Sequence, residues 1–178
     1  DTLYNTTGDN NVAVGRDAMN DNTSGAENVA IGSYALDANT TADDNVAVGY
    51  QALTDNTTGG SNTAIGKTSL ANNTTANDNT AVGYQTLFTN TTGAQNTAVG
   101  KNVLVNATTA DNNTAMGYHA ADAITTGDLN VAIGAEALGA NTVGDRNVAV
   151  GANALQAYNP STNEDGYNVA VGLNALFA

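Results

Sequence analysis

A five-residue motif with apolar and polar positions in fixed order recurs ten times along the chain. It reads Asn-(Val/Thr)-Ala-(Val/Ile/Met)-Gly, as at residues 45–49. The first nine copies follow at intervals of 17 residues, and the last interval is 21 residues. A fixed short period is typical of a solenoid, in which one small unit stacks on copies of itself. The motifs end at Gly15, Gly32, Gly49, Gly66, Gly83, Gly100, Gly117, Gly134, Gly151 and Gly172.

The motif alternates as a β-strand does, so its successive side chains point to opposite faces. The Val/Ile/Met position forms one apolar column and the alanine before it forms another on the opposite face. A strand that is apolar on both faces predicts a sheet that is covered on both. One face closes the coil, and we expect the alanine face to pack on a second chain, since alanine permits close approach. The resulting homo-oligomer is expected to be a trimer, with Ala47, Ala64, Ala81 and Ala98 at its interface.

A third apolar column follows each motif glycine in the pattern Gly-x-x-Ala-Leu. This segment is too short for an independent helix, and periodicity leaves a single helical turn and a second short strand both open. The Asn-Thr-Thr-Gly segment that follows is typical of a corner. We therefore predict an all-β protein, in which the Gly-x-x-Ala-Leu segments are either short strands or single helical turns. It is a parallel β-solenoid or β-roll of ten 17-residue coils, forming one domain over residues 1–178 with a four-residue insertion within residues 156–167.

Stacking at about 4.8 Å places equivalent residues of successive coils above one another. The asparagine that opens each motif should then form an amide ladder, which stabilises stacked strands. A second period of 34 residues is also visible, because Thr-Thr-Ala and Thr-Thr-Gly corners alternate from coil to coil. Duplication of a two-coil block and a structural pairing of adjacent coils both explain this alternation.

Composition narrows the classes of function. The chain has 17 acidic and 4 basic residues, a net charge of −13, and no cysteine. This charge argues against nucleic-acid binding, and the missing cysteines exclude disulfides and thiolate metal sites. The sequence contains no run of 18 apolar residues, which is about the length that predicts a membrane-spanning helix. Because the sequence begins and ends inside repeats, we expect it to be a segment of a longer protein.

Catalytic signals are weak. The single histidine, His119, has no second histidine or cysteine with which to form a nucleophilic dyad, and we interpret it as a surface residue. Glycoside hydrolysis needs two carboxylates about 5–10 Å apart. Nothing in the sequence indicates that any two of the acidic residues that depart from the repeat form such a pair, so we expect no enzymatic activity. These residues are Asp17, Glu136, Glu164 and Asp165.

Two columns of polar residues are candidate binding sites. Stacked carboxylates repel one another unless a hard cation such as Ca²⁺ bridges them, which makes calcium binding and solvated corner acids the alternatives. The candidate ligands are Asp43, Asp44, Asp78, Asp111, Asp128 and Asp145. A regular threonine array resembles ice-binding surfaces, and its members include Thr40, Thr57, Thr74, Thr91 and Thr108. The corners also contain Asn-x-Ser/Thr sequons at Asn5, Asn22, Asn39, Asn56, Asn73 and Asn90.

The Asn-x-Ala-(Val/Ile)-Gly motifs resemble the head repeats of trimeric autotransporter adhesins. The longer pattern at residues 79–93 is similar to repeats of phage tail fibres and large bacterial surface proteins. This resemblance implies a left-handed parallel β-roll in a trimer on a cell or virion surface. We therefore expect a non-enzymatic, extracellular fibre or adhesin segment that presents surface contacts to a glycan or receptor. Ice binding and a self-assembling end-to-end filament are the alternatives.

Overall fold

The computed structural model describes residues 6–177, which form a β-solenoid of ten strands in one parallel sheet. Each strand pairs in register with the strand one coil away, so that Val46 lies opposite Thr63 and Ala47 opposite Ala64. This confirms the predicted vertical register. The strands, β1 to β10 in chain order, are Val12–Val14, Val29–Ile31, Val46–Val48, Thr63–Ile65, Thr80–Val82, Thr97–Val99, Thr114–Met116, Val131–Ile133, Val148–Val150 and Val169–Val171.

The wall opposite the strands is neither a helical turn nor a regular strand. In the coil of β3, Gln51 and Leu53 both have left-handed backbones, with φ of 53° and 55°. The Gln51 N–H donates to the Ser33 carbonyl of the preceding coil, and the Leu53 N–H donates to the Ser69 carbonyl of the following coil, each at 3.0 Å. This wall is therefore hydrogen-bonded from coil to coil, as a sheet is. Residues 6–177 contain no helix, and hence none long and apolar enough to cross a membrane.

The core lies between the two walls and is narrow. The middle alanine of each strand from β2 to β10 points inward and faces the leucine column, whose member Leu53 has no exposed surface. The alanines Ala47, Ala64, Ala81 and Ala98 are each 0 % exposed within the single chain. This placement corrects the prediction that they form an oligomer interface, because a fully enclosed side chain cannot contact a second chain. The valine-type columns are the ones that face outward.

Two asparagine ladders close the corners of the core. In the predicted ladder, the Asn45 N–H donates to Asn28 Oδ1 at 2.9 Å, and Asn45 Nδ2 donates to the Gly59 carbonyl at 3.0 Å. The second ladder, which runs through the corner asparagines, was not predicted. There Asn39 Nδ2 donates to Asn22 Oδ1 at 2.8 Å. Both ladders satisfy buried backbone carbonyls, which would otherwise cost about 1–3 kcal/mol each.

The two-coil period has a steric basis. The corner position holds Gly25, Gly59 and Gly93 in alternate coils, and alanine in the coils between them. A Cβ added at any of these three glycines would lie 2.6 Å from the Oδ1 of the corner asparagine in its own coil and would overlap the next coil's alanine carbonyl. From Gly25 to Ala110, glycine coils and alanine coils therefore alternate with a steric basis, and the structural explanation of the two-coil period is supported over these coils. The alanines between them are Ala42 and Ala76, and Ala110 follows in the coil after Gly93.

The insertion leaves the register intact. The Asp145 N–H donates to the Glu164 carbonyl and the Gly166 N–H donates to the Asp145 carbonyl, both at 2.9 Å. Asp165 also pairs with Arg146. The extra residues therefore bulge outward, after which β10 pairs with β9 as the other strands pair.

Candidate functional site

The acidic column has a structural role at most of its positions. Asp43 Oδ1 accepts the Ala26 N–H at 2.7 Å, and Asp111 Oδ1 accepts the Ala94 N–H at 2.6 Å. Asn77, at the equivalent position, accepts the Gly60 N–H at 2.7 Å. These side chains satisfy backbone donors of the preceding coil, as Asp128 and Asp145 also do. The described part of the chain brings together no group of three or more acidic or histidine side chains able to hold a metal ion. The calcium site thus stays a prediction. The structure does not bring its candidate ligands together in one cluster; these are Asp43, Asp44, Asp78, Asp111, Asp128 and Asp145.

The threonine column is also engaged within the solenoid. Each hydroxyl donates to the carbonyl of the equivalent threonine in the next coil, at 2.9–3.1 Å. The side chains are half-buried, and the neighbouring threonine in each coil is the exposed one. Hydroxyls that already donate to protein carbonyls offer fewer donors to an ice lattice, so no contact favours the ice-binding hypothesis. The donors are Thr40, Thr57, Thr74, Thr91 and Thr108.

The sequons do not present acceptor asparagines. Their asparagines are 0–1 % exposed, because they form the second amide ladder. A glycan attached to such an amide would have to replace the ladder, so the folded chain excludes glycosylation there. These residues are Asn22, Asn39, Asn56, Asn73 and Asn90, whereas Asn5 lies outside the described residues.

The outer face of the strands is an uncharged, partly apolar surface that runs the length of the solenoid. Each strand contributes its first and third residues to this face, and all twenty are Val, Thr, Ile or Met. Ile31 and Ile65 are each 40 % exposed and Met116 is 47 % exposed. Nine steps of about 4.8 Å make this face about 43 Å long. Large exposed apolar surfaces usually mark an interaction site, which makes this face a candidate for one.

The two rims of the outer strand face carry opposite charges. Immediately after the motif glycines lie Arg16, Lys67 and Lys101, which are three of the four basic residues. Lys67 lies 5.8 Å from the Tyr50 ring centroid, and neither lysine has an ion pair among residues 6–177. On the other rim, immediately before the motif asparagines, lie the exposed acids Glu27, Asp44 and Asp78. Arg146 also lies on this rim, in the coil of β9, where it pairs with Asp165, so the charges of the two rims are opposite only over the coils of β1 to β6.

An open pocket of about 450 Å³ lies on the coils of β7 to β9. His119 Nδ1 lies 2.7 Å from Asp122 Oδ2, and His119 Nε2 lies 3.1 Å from Asn102 Nδ2. Gln156 Nε2 donates to Glu136 Oε2 at 2.6 Å. The histidine thus has a partner at both ring nitrogens. The pocket is lined by Tyr118, His119, Asp122, Glu136, Gly139, Ala140, Gln156 and Ala157.

Comparisons of the chain with protein-family models, with curated proteins and with solved structures gave no match. The geometry of the surfaces therefore carries the functional argument.

The structure brings together few of the predicted site residues. Of the acids that depart from the repeat, only Glu136 lines the pocket, and Asp17, Glu164 and Asp165 do not. Sequence reasoning missed the pocket because Asp122 and Gln156 belong to a column of variable residues. The available signal was Gly139, which falls in a column that holds Phe88 and Val105 in earlier coils. A missing side chain between larger neighbours leaves a depression.

Acidification should stabilise the fold. Burial raises the pKa of Asp128 above its ordinary value of 3.8, and repulsion from Asp111 and Asp145 adds to the shift. Burial also raises the pKa of Asp37, helped by Asp21 and Asp17. Since the folded state binds these protons more tightly than the unfolded chain, their stabilising effect is present at low pH. It is lost as the pH rises from the ordinary value through the raised folded value. We expect the urea midpoint to be higher near pH 4.5 than at pH 7.

The variant Asp128→Asn isolates this effect. Asn77 shows that an amide at this column position keeps the hydrogen bond to the preceding coil. Because it removes a charge that the fold disfavours, the variant should have a higher free energy of unfolding at pH 7. The increase should be only on the order of 0.5 kcal/mol, since solvent screens the repulsion in this half-exposed column. It should also gain less on acidification than the unmodified protein does. An unchanged difference between the urea midpoints at the two pH values would contradict the assignment.

Proposed function

We propose that this chain is a non-enzymatic structural segment of an extracellular fibre or adhesin. In this role it is a rigid β-solenoid that assembles with copies of itself and carries contacts to a cell or virion surface. The observation that supports the proposal is the uncharged outer strand face with its oppositely charged rims. The surface location follows from the resemblance of the repeats to adhesin heads and fibre proteins.

A second copy of the chain suits the outer strand face better than an unrelated partner does. The strands of this face pair in the same register along its whole length, so an aligned copy matches it in both length and spacing. It carries no charge in a molecule of net charge −13, so two copies can meet there without bringing carboxylates together. Burial of Val, Ile and Met side chains contributes about 25 cal/mol per Å² removed from water.

The rim charges favour a cyclic arrangement. When copies surround a rotation axis head to tail, the basic rim of one faces the acidic rim of the next. Lys67 lies one coil from both Asp44 and Asp78, and Lys101 lies one coil from Asp78. One coil is about 4.8 Å, which a lysine side chain can span. A trimer with this heterologous interface is the arrangement that we propose.

The proposed mechanical role follows from the hydrogen bonding. Both walls of the solenoid bond coil to coil through their backbones, and two amide ladders bond coil to coil through side chains. Each coil thereby covers the unpaired edge of the next, so the interior of the stack has no free strand edge. A stack of this kind resists bending and stretching, which suits a spacer that holds surface contacts away from its base.

The oligomer can be tested by sedimentation velocity. We expect the unmodified protein to sediment as a species of three times 17.8 kDa. Val48→Asp should reduce it to a monomer, because it places a carboxylate in the uncharged face at each interface. The control Thr58→Asp adds the same charge at an exposed corner and should leave the mass unchanged. A monomeric unmodified protein at 100 μM would overturn the proposed assembly.

A charge-reversal pair tests the head-to-tail contact. Lys101→Glu should weaken association, and Asp78→Lys added in the same chain should restore part of it. This rescue requires that the two rims belong to neighbouring copies, since neither lysine of the basic rim has an ion pair within the described chain. Association constants at 50 mM and 500 mM salt measure the effect, which high salt should remove.

A further inference from the structure

The pocket on the coils of β7 to β9 differs from the rest of the solenoid surface. At the position that Gly139 occupies, the two coils before it carry Val105 and Asp122, and the next carries Gln156. The glycine removes the side chain that would fill the space between Asp122 and Gln156. The result is a concave, open site of about 450 Å³ with polar groups on its sides. This volume lies within the range of small-molecule sites, about 300–1,000 Å³.

The polar groups of the pocket are held in place by neighbours. His119 is fixed between Asp122 and Asn102, and Glu136 is fixed by Gln156. Each carboxylate uses one oxygen in these contacts, which leaves Asp122 Oδ1 and Glu136 Oε1 as acceptors for a ligand. Fixed side chains lose little entropy on binding, which is the property of a built site.

One wall of the pocket is aromatic. The Tyr118 ring packs on the His119 ring, with 4.2 Å between their centroids and a tilt of 60°. Tyr118 remains 51 % exposed, so part of its ring is open to a ligand. A tyrosine in this position offers a flat apolar surface together with a hydroxyl at its edge.

These features select the chemistry of the ligand. Two free carboxylate oxygens call for hydroxyl donors, and hydrogen bonds to charged acceptors are the stronger ones. The tyrosine ring calls for a flat apolar face. No lysine or arginine lines the pocket, and a net charge of −13 repels anions. A neutral pyranose has vicinal hydroxyls on its edge and C–H groups on its face, and one ring fits the volume.

We propose that this pocket binds one neutral pyranose unit of a glycan. Asp122 and Glu136 accept hydrogen bonds from its hydroxyls, and Tyr118 packs on its C–H face. This inference rests on the proposed function, because it assigns a class of ligand, neutral sugars, to the surface contacts of the proposed fibre segment. The pocket lies within one chain, so it does not require the assembly. A failed sugar titration would leave the sedimentation result intact, and a monomeric chain would leave the pocket intact.

The single histidine makes the test specific. His119 is the only imidazole in the chain, so its ring resonances in NMR spectra report on this pocket alone. We expect the methyl glycosides of glucose, galactose and mannose, titrated to 50 mM at constant pH, to include at least one that shifts these resonances saturably. The expected dissociation constant is on the order of 1 mM. N-Acetylneuraminic acid, an anionic sugar, should give no shift at the same concentration.

Two variants locate the binding. Glu136→Gln introduces the side chain that Gln51 and Gln85 carry in the same column, and it should weaken binding about tenfold. Gly139→Val introduces the side chain of Val105 and should abolish binding by filling the pocket. The control Thr54→Val lies in the same column as Gly139 but in the coil of β3, and it should bind as the unmodified protein does.

Three results would overturn the proposal. The first is the absence of a saturable shift with all three glycosides. The second is an equal or stronger response to methylammonium chloride, which would mean that the carboxylates select a cation. The third is unchanged binding by Glu136→Gln. Backbone amide spectra confirm that each variant is folded, and Glu136→Gln alone decides the location if Gly139→Val does not fold.

Discussion

Replacing Gly49 by alanine should destabilise the solenoid by about 4 kcal/mol or more, which is the range of severe single substitutions. Gly49 has a φ of +136°, a region that residues with a Cβ rarely adopt. A Cβ there would also lie 2.6 Å from the Gly66 carbonyl oxygen and 2.7 Å from its carbon. These are backbone atoms of the next coil, so relief requires the coils to separate and their hydrogen bonds to lengthen. Urea unfolding followed by circular dichroism measures the loss.

The matched control is Gly139→Ala, which makes the same chemical change in a different setting. A Cβ at Gly139 would lie 3.1 Å from the Glu136 carbonyl and farther from every other atom, and Ala71 occupies the same column in an earlier coil. We expect this control to change stability by less than about 1 kcal/mol. A Gly49→Ala variant as stable as Gly139→Ala would mean that the strand corner tolerates a wider spacing of coils than the structure has.

The sequence predicted the register of the solenoid but not the direction of its strands' faces. The 17-residue period fixes which residues stack, and it needs no knowledge of packing. The assignment of faces failed because Ala47 and Val48 are both apolar, and alternation alone does not say which of them points inward. The narrow core decides it. A strand wall that faces the Leu53 column leaves room only for alanine, and the larger valine must face outward.

The conformation of the opposite wall was beyond sequence reasoning for a different reason. Leucine has no intrinsic preference for a left-handed backbone, yet Leu36, Leu53 and Leu70 adopt φ between 50° and 55°. The local cost is offset by coil-to-coil hydrogen bonds and by burial of the leucine, which exist only once the coils stack. Local propensity therefore gives the wrong expectation here, because the stabilising contacts lie 16 or 17 residues away.

The candidate sites fall into two groups, the regular columns that stack the coils and the positions where the repeat varies. Columns that repeat without variation, such as Thr40 and Thr57, attracted functional hypotheses because they are regular, and the structure shows that the regularity serves stacking. The pocket arises where the repeat varies, at Asp122, Gly139 and Gln156. In this solenoid, the columns that repeat without variation stabilise the stacking of the coils, and the residues that depart from the repeat form the candidate binding pocket. Departures were visible in the sequence, but which of them meet in space was not.

Replacing Asn73 by aspartate should cost about 3 kcal/mol or more, although the two side chains have the same shape. Asn73 is fully buried, and its Nδ2 donates to Asn56 Oδ1 at 2.9 Å and to the Ala76 carbonyl at 3.1 Å. A carboxylate would place an anionic oxygen against both acceptors in a dry corner. Because the folded state disfavours the charged form, the loss should be largest at pH 7 and should shrink as the introduced carboxyl protonates on acidification.

The control for the ladder is Asn77→Asp, four residues away on the exposed side of the same corner. Asn77 uses only its Oδ1, as an acceptor from the Gly60 N–H, and Asp43 and Asp111 already fill that column in other coils. This variant should stay within about 0.5 kcal/mol of the unmodified protein. Urea midpoints of both variants at pH 7 and pH 4.5 separate the effect of the buried ladder from that of added charge. If the two variants lost equal stability at pH 7, the loss would come from the added negative charge and not from the disrupted amide ladder. The stacking of the coils would then depend on the backbone hydrogen bonds alone.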